Sequence, residues 1–163
     1  MSILSKIMRA LVKAEKTVIA LFMAAAVMVI MISVIGRRIG HAPAWGEEVV
    51  RYLIIWITFI GSGVCFRRSA HYGVDVIRRV KNKIFQKFIA TFVILVSAIF
   101  AAFLLIYGGK YTAFTMMSGQ KTAALGLPIW LVYISVPIGG ALVIIHLIEL
   151  LMQDVFGVYK IEE

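Results

Sequence analysis

Residues 17–36 carry no charged side chain over 20 positions, and residues 88–109 carry none over 22. An α-helix rises about 1.5 Å per residue, so about 20 apolar residues cross the roughly 30 Å hydrocarbon core of a bilayer. In lipid, only a helix or a closed barrel satisfies all of its own backbone N–H and C=O groups. These runs therefore predict transmembrane helices. Residues 122–148 are free of formal charge as well, with Pro128 marking the expected helix start. A fourth candidate, residues 52–66, has only 15 uncharged positions. It covers about 22 Å and must recruit its flanks to span. Composition agrees: 62% of residues are hydrophobic and mean hydropathy is +0.98, against roughly 45–50% apolar content in soluble domains. The fold class predicted is an all-α integral membrane protein of four transmembrane helices. It forms one membrane domain, 1–163, with spans near 15–36, 47–67, 85–109 and 128–151.

Basic residues orient the bundle. Lys6, Arg9, Lys13 and Lys16 precede the first span, seven Lys and Arg lie between Arg67 and Lys87, and Lys160 is in the tail. The opposite side holds Arg37, Arg38, Lys110 and Lys121, with Arg51 at the edge of span two. The positive-inside rule places both termini in the cytoplasm, an N-in/C-in topology. A net charge of +9 spread between apolar blocks in this way points to topology and anionic phospholipid, not nucleic acid. In residues 1–13, Ile3, Leu4, Ile7, Met8, Leu11 and Val12 form one helical stripe opposite Lys6, Arg9 and Lys13. This is the pattern of an amphipathic helix lying in the cytoplasmic interface. Val74, Ile77 and Val80 repeat it more weakly in the middle loop. Ala42-Pro43-Ala44 mimics a signal cleavage site, but the preceding apolar run is too long, and a retained signal anchor is expected.

Chemistry-bearing patterns are sparse. Span one, read as 17–36, and span three contain no ionisable group. His146 and Glu149 fall in the last turns of span four, where a side chain reaches water at the cytoplasmic interface. Haem ligation needs two facing axial ligands. His41 and His71 lie in loops on opposite sides, so no such pair forms. The single cysteine, Cys65, excludes an intrachain disulfide and reads as a packing residue. No catalytic, cofactor or metal residues are assigned, and no enzyme activity is expected. A four-helix drug exporter would place a carboxylate in the middle of span one, and a redox anchor would carry histidine pairs. Both alternatives are disfavoured.

The densest local signal is Trp45-Gly46-Glu47-Glu48-Val49-Val50-Arg51. A helix starting near Glu47 makes Glu47–Arg51 an i,i+4 pair and Glu48–Arg51 an i,i+3 pair, with acids at the positive end of the helix dipole. Two carboxylates on one guanidinium leave a spare negative charge for a partner, so this knot is expected to fix a helix–helix or subunit contact. Small residues at Gly61-Ser62-Gly63 and Gly139-Gly140-Ala141 permit close helix approach, and Pro137 is expected to bend span four.

Three blocks taken together carry a resemblance. They are Trp45-x-Glu47-Glu48-x-x-Arg51; Gly61 followed by Arg67, His71 and Val74-Asp75; and Leu125-x-x-Pro128-x-Trp130-x-x-Tyr133-x-x-x-Pro137-x-Gly139. In order and spacing the chain resembles the small membrane (DctQ-like, Q) subunit of tripartite ATP-independent periplasmic (TRAP) transporters. The resemblance implies a bacterial inner-membrane complex with two partners: a large multi-span subunit driven by a sodium gradient, and a periplasmic substrate-binding protein that docks transiently. The cargo would be organic anions such as C4-dicarboxylates or sialic acid. This subunit would buttress the large one and help dock the binding protein. Carried over by residue, it implies scaffold contacts at Trp45, Glu47, Glu48, Arg51, Gly61, Pro128, Trp130, Tyr133, Pro137 and Gly139. His71 and Asp75 would order the cytoplasmic loop, Asp75 as a helix cap. Arg37, Arg38, Lys110 and Lys121 would help dock the binding protein.

Overall fold

The computed structural model describes residues 3–41, 43–78 and 83–156, and side chains at 6–41, 43–66, 89 and 91–150. Five helices follow in order: α1 Ile3–Arg38, α2 Ala44–Arg78, α3 Lys83–Met117, α4 Trp130–Tyr133 and α5 Ser135–Phe156. Four stretches are long and apolar enough to cross a membrane: Lys6–Arg38, Ala44–Phe66, Thr91–Met117 and Trp130–Leu150. The short run at 52–66 is thus the centre of a longer helix whose first turns carry Glu47, Glu48 and Arg51.

The amphipathic segment at the start is continuous with the first span, within one helix of 36 residues. Its apolar stripe is divided. Met8 and Val12 are buried, whereas Ile7 is 57% exposed. At this end the stripe packs partly on protein. α3 continues past Gly109 to Met117, so Lys110 stands on a helix and not in a loop.

Span four starts regular helix at Trp130, two residues after Pro128, and is interrupted once. α4 ends before Ile134 and α5 starts at Ser135. Pro137 explains the break: it has no N–H for the Tyr133 carbonyl four residues back, and its ring crowds that carbonyl. Ser135 is fully buried, and its hydroxyl donates to the Val132 carbonyl at 2.7 Å.

α5 lies between α2 and α3, while α1 packs on α2. Two adjacent glycines set the central approach. A Cβ on Gly139 would stand 2.7 Å from the Phe59 backbone oxygen of α2, and one on Gly140 3.0 Å from the Ala101 backbone oxygen of α3. Ala101, Val143 and Leu147 form the buried core, flanked by Phe66, Ile94, Ala98 and Ile144. The outward faces of α1 (Leu21, Met28, Met31) and α3 (Phe92, Ile99, Phe103) are exposed and apolar, as suits helices bathed in lipid or set against a partner. The end where α1 meets α2 and α3 leads to α4 is the loop end. The other holds the start of α1 and the close of α2 and α5.

Candidate functional site

At the loop end, residues 118–129 fold into a compact turn. Lys121 and Pro128 pair as an isolated bridge. The Thr122 N–H donates to the Leu127 carbonyl at 2.8 Å, the Ile129 N–H to the Gln120 carbonyl at 3.0 Å, and the Leu127 N–H to the Thr122 hydroxyl at 3.0 Å. Gly119 (φ 62°) and Gly126 (φ 65°) occupy the left-handed region that side chains avoid. The tip still leaves two backbone donors, and Glu48 takes both. Its Oε2 accepts from the Ala124 N–H at 2.8 Å and the Leu125 N–H at 2.9 Å, while Oε1 accepts from the Tyr52 hydroxyl. Charge-assisted bonds of this kind are about twice as strong as neutral ones.

This arrangement replaces the expected local knot. Among the described residues neither Glu47 nor Glu48 pairs with Arg51, whose side chain is exposed. Glu48 is engaged by the loop, where it supplies the acceptor for the Ala124 and Leu125 amides. Glu47 instead pairs with Arg37 at the end of α1. Both groups are largely exposed, so the pair contributes at most about 1 kcal/mol. The firmer junction between α1 and α2 is Gly46, buried where a Cβ would overlap the Ser33 hydroxyl.

Two further contacts fasten α4. Trp56 of α2 donates its indole N–H to the Leu131 carbonyl at 3.2 Å and receives Phe22 of α1 edge-on at 6.3 Å. Tyr133 meets Tyr111 of α3 in a T-shaped contact at 4.7 Å. The aromatic residues thus link all four spans near the break.

A second polar cluster occupies the opposite end, and it departs from expectation. His146 is 1% exposed and does not reach water. Its Nε2 lies 3.2 Å from both carboxylate oxygens of Glu15, itself 4% exposed, and its Nδ1 lies 3.5 Å from Glu149. Buried carboxylates and imidazoles need such partners. In the sequence Glu15 is masked by the four cations around it, just before the uncharged run. The available signal was its spacing: Met8, Val12 and Glu15 share one helical face, which places an acid on the apolar stripe.

The remaining candidates are scattered. Trp45 is 40% exposed at the start of α2. Gly61 faces α1, where a Cβ would meet Ile19 at an ordinary 3.8 Å, and Gly139 is used inside the bundle. Pro128 and Trp130 are half-buried at the entry to α4. Lys110 lies over the Tyr107 ring at 5.6 Å, while Arg38 and Lys121 are exposed. His71 and Asp75 fall inside α2 near its C-terminal end, so Asp75 does not start a helix. Their side chains, and Val80, lie outside the described residues. Gly63 does serve a close helix approach, as its small size suggests, whereas nothing local to Trp56 or Glu15 signals their roles, which come from other helices.

Among known proteins, residues 26–157 match the family described as tripartite ATP-independent periplasmic transporters, DctQ component. A TRAP transporter small permease protein of Haemophilus influenzae is 30% identical over 116 residues, 70% of each chain. The ectoine TRAP transporter small permease protein TeaB of Halomonas elongata is 32% identical over 108 residues, 66% of this chain and 56% of that one. The C4-dicarboxylate TRAP transporter small permease protein DctQ of Rhodobacter capsulatus is 23% identical over 105 residues, 64% of this chain and 46% of that one. The chain spans about half the length of the last two.

Proposed function

Because this chain belongs to the family of DctQ components of TRAP transporters, we propose that it is the small, non-catalytic membrane subunit that buttresses a large transport subunit. It is a multi-pass protein of the bacterial inner membrane. The observation that carries the reading is the family match itself, which spans residues 26–157 and so touches all four membrane-crossing stretches.

In this reading the bundle is static. α5 is enclosed by α2 and α3, and the outer faces of α1 and α3 are available to the large subunit. The loop end faces the periplasm and both termini the cytoplasm, following the basic-residue bias. The Glu48-held turn, with Trp45, Arg37, Arg38, Lys110 and Lys121 around the same end, is the surface that meets the substrate-binding protein, and its cations steer acidic patches. The large subunit moves an organic anion with sodium, in keeping with the C4-dicarboxylate in the name of one relative. The basic terminal end contacts anionic phospholipid.

The test is co-expression of a tagged chain with a large TRAP permease subunit from the same genome. Recovery of both in a fixed ratio from detergent, and sodium-dependent uptake in proteoliposomes only when the binding protein is added, is the expected result. Solute accumulation by the purified small chain alone would overturn the scaffold reading.

A further inference from the structure

Among the described residues the backbone of α1 packs against α2, yet one of its side chains reaches past α2 to α5. Glu15 meets His146 at 3.2 Å with both groups buried. α2 admits this contact at Gly63, where a Cβ would stand 3.2 Å from the Leu142 Cβ and 3.3 Å from the His146 Cδ2. A side chain at Gly63 would press on both Leu142 and the imidazole.

Among the described residues no other hydrogen bond or ion pair joins this half of α1 to another helix. Dispersion between apolar side chains is non-directional and individually weak. A buried polar contact is directional and short-ranged, so it selects one axial position. At the loop end α1 is already held by the short connection to α2, by the Arg37–Glu47 pair and by the Ser33–Gly46 approach.

We propose that Glu15 and His146 form a latch that sets the position of the N-terminal half of α1 against α5, with Gly63 as the opening through which it closes. The latch is a property of this bundle and stands whether or not the chain serves a TRAP transporter. It makes α1 a helix hinged at the loop end and clasped at the other.

Spin-label distance measurements on the full chain in lipid nanodiscs test this. One pair joins α1 to α5, using Ala20→Cys and Ile148→Cys with Cys65→Ser. The control pair joins α2 to α5, using the native Cys65 with Ile148→Cys. All three positions are exposed. The double variant Glu15→Leu/His146→Leu removes the contact from both sides, and it is made also with Glu149→Gln so that the carboxylate beside the His146 Nδ1 leaves no buried charge behind. The expected result is a single narrow α1–α5 distance in the unaltered protein and a second, longer population in the double variant, with the α2–α5 distance unchanged in both. An α1–α5 distance that stays single and narrow overturns the latch. So does equal broadening of both pairs, which would make the contact a support of the whole bundle and not a clasp on α1.

Discussion

Gly46 of α2 and Ser33 of α1 approach so closely that the space for a Cβ on the first is filled by the hydroxyl of the second. The Ser33 Oγ is buried and has no hydrogen-bond partner among the described residues. The contact is therefore steric and not polar. Gly46→Ala is expected to lower stability by about 1–3 kcal/mol, as overpacking does. Ser33→Ala alone is expected to be nearly neutral. Combined, the two should largely cancel, because the next atom, the Ser33 Cβ, is 3.5 Å away. Thermal unfolding in detergent reads all three, and equal midpoints for Gly46→Ala with and without Ser33→Ala would refute the assignment.

Glu48→Ala removes the acceptor shared by the Ala124 and Leu125 amides. Bonds to a charged acceptor are stronger than neutral ones, so hydrogen exchange at 124–125 should accelerate by about tenfold, while the α5 amides keep their protection. Tyr52→Phe, which leaves both amide bonds in place, should change exchange there far less.

The glycines of the bundle separate into two classes. Gly139→Ala sets a Cβ 2.7 Å from main chain that has no room to move, whereas Gly109 has nothing within 4 Å. The first substitution should abolish or sharply lower folded yield. Gly109→Ala should raise stability by up to about 1 kcal/mol through helix propensity. Size-exclusion profiles and melting midpoints of the pair provide the measurement.

Trp56→Phe keeps the edge contact with Phe22 but removes the donor to the Leu131 carbonyl next to the helix break. Polar contacts between membrane helices average about 0.6 kcal/mol and reach about 1.7. A loss within that range is expected, with an infrared amide I shift confined to the carbonyls of α4. A neutral substitution with an unchanged spectrum would mean that the bond is not formed.

The four spans were legible because lipid imposes a length and an absence of charge that show directly in residues 17–36 and 88–109. The helix break before Pro137 was legible too, since proline acts on its own backbone. Extent was less so. An apolar stripe opposite Lys6 and Arg9 fits an interfacial helix and a helical extension equally, and the chain forms the extension. The carboxylate pairings misled for a physical reason. Spacing rules see only neighbours on one helix, so they offered Arg51 to Glu47 and Glu48. The structure gives Glu47 to Arg37, ten positions away, and Glu48 to amides 76 and 77 positions away. The Glu15–His146 contact bridges 131 positions, and only the odd acid on the Met8–Val12 face hinted at it.

Gly139 and Gly140 present bare backbone in two directions about 100° apart around the axis of α5. At that level the distances from α5 to α2 and to α3 are gauged by main chain, not by side-chain bulk. Substitutions on the outer faces therefore cannot alter that spacing by repacking. The skeleton and the skin of this protein vary independently: new neighbours in the membrane can be accommodated by rewriting α1 and α3 while the triangle of α2, α3 and α5 keeps its dimensions.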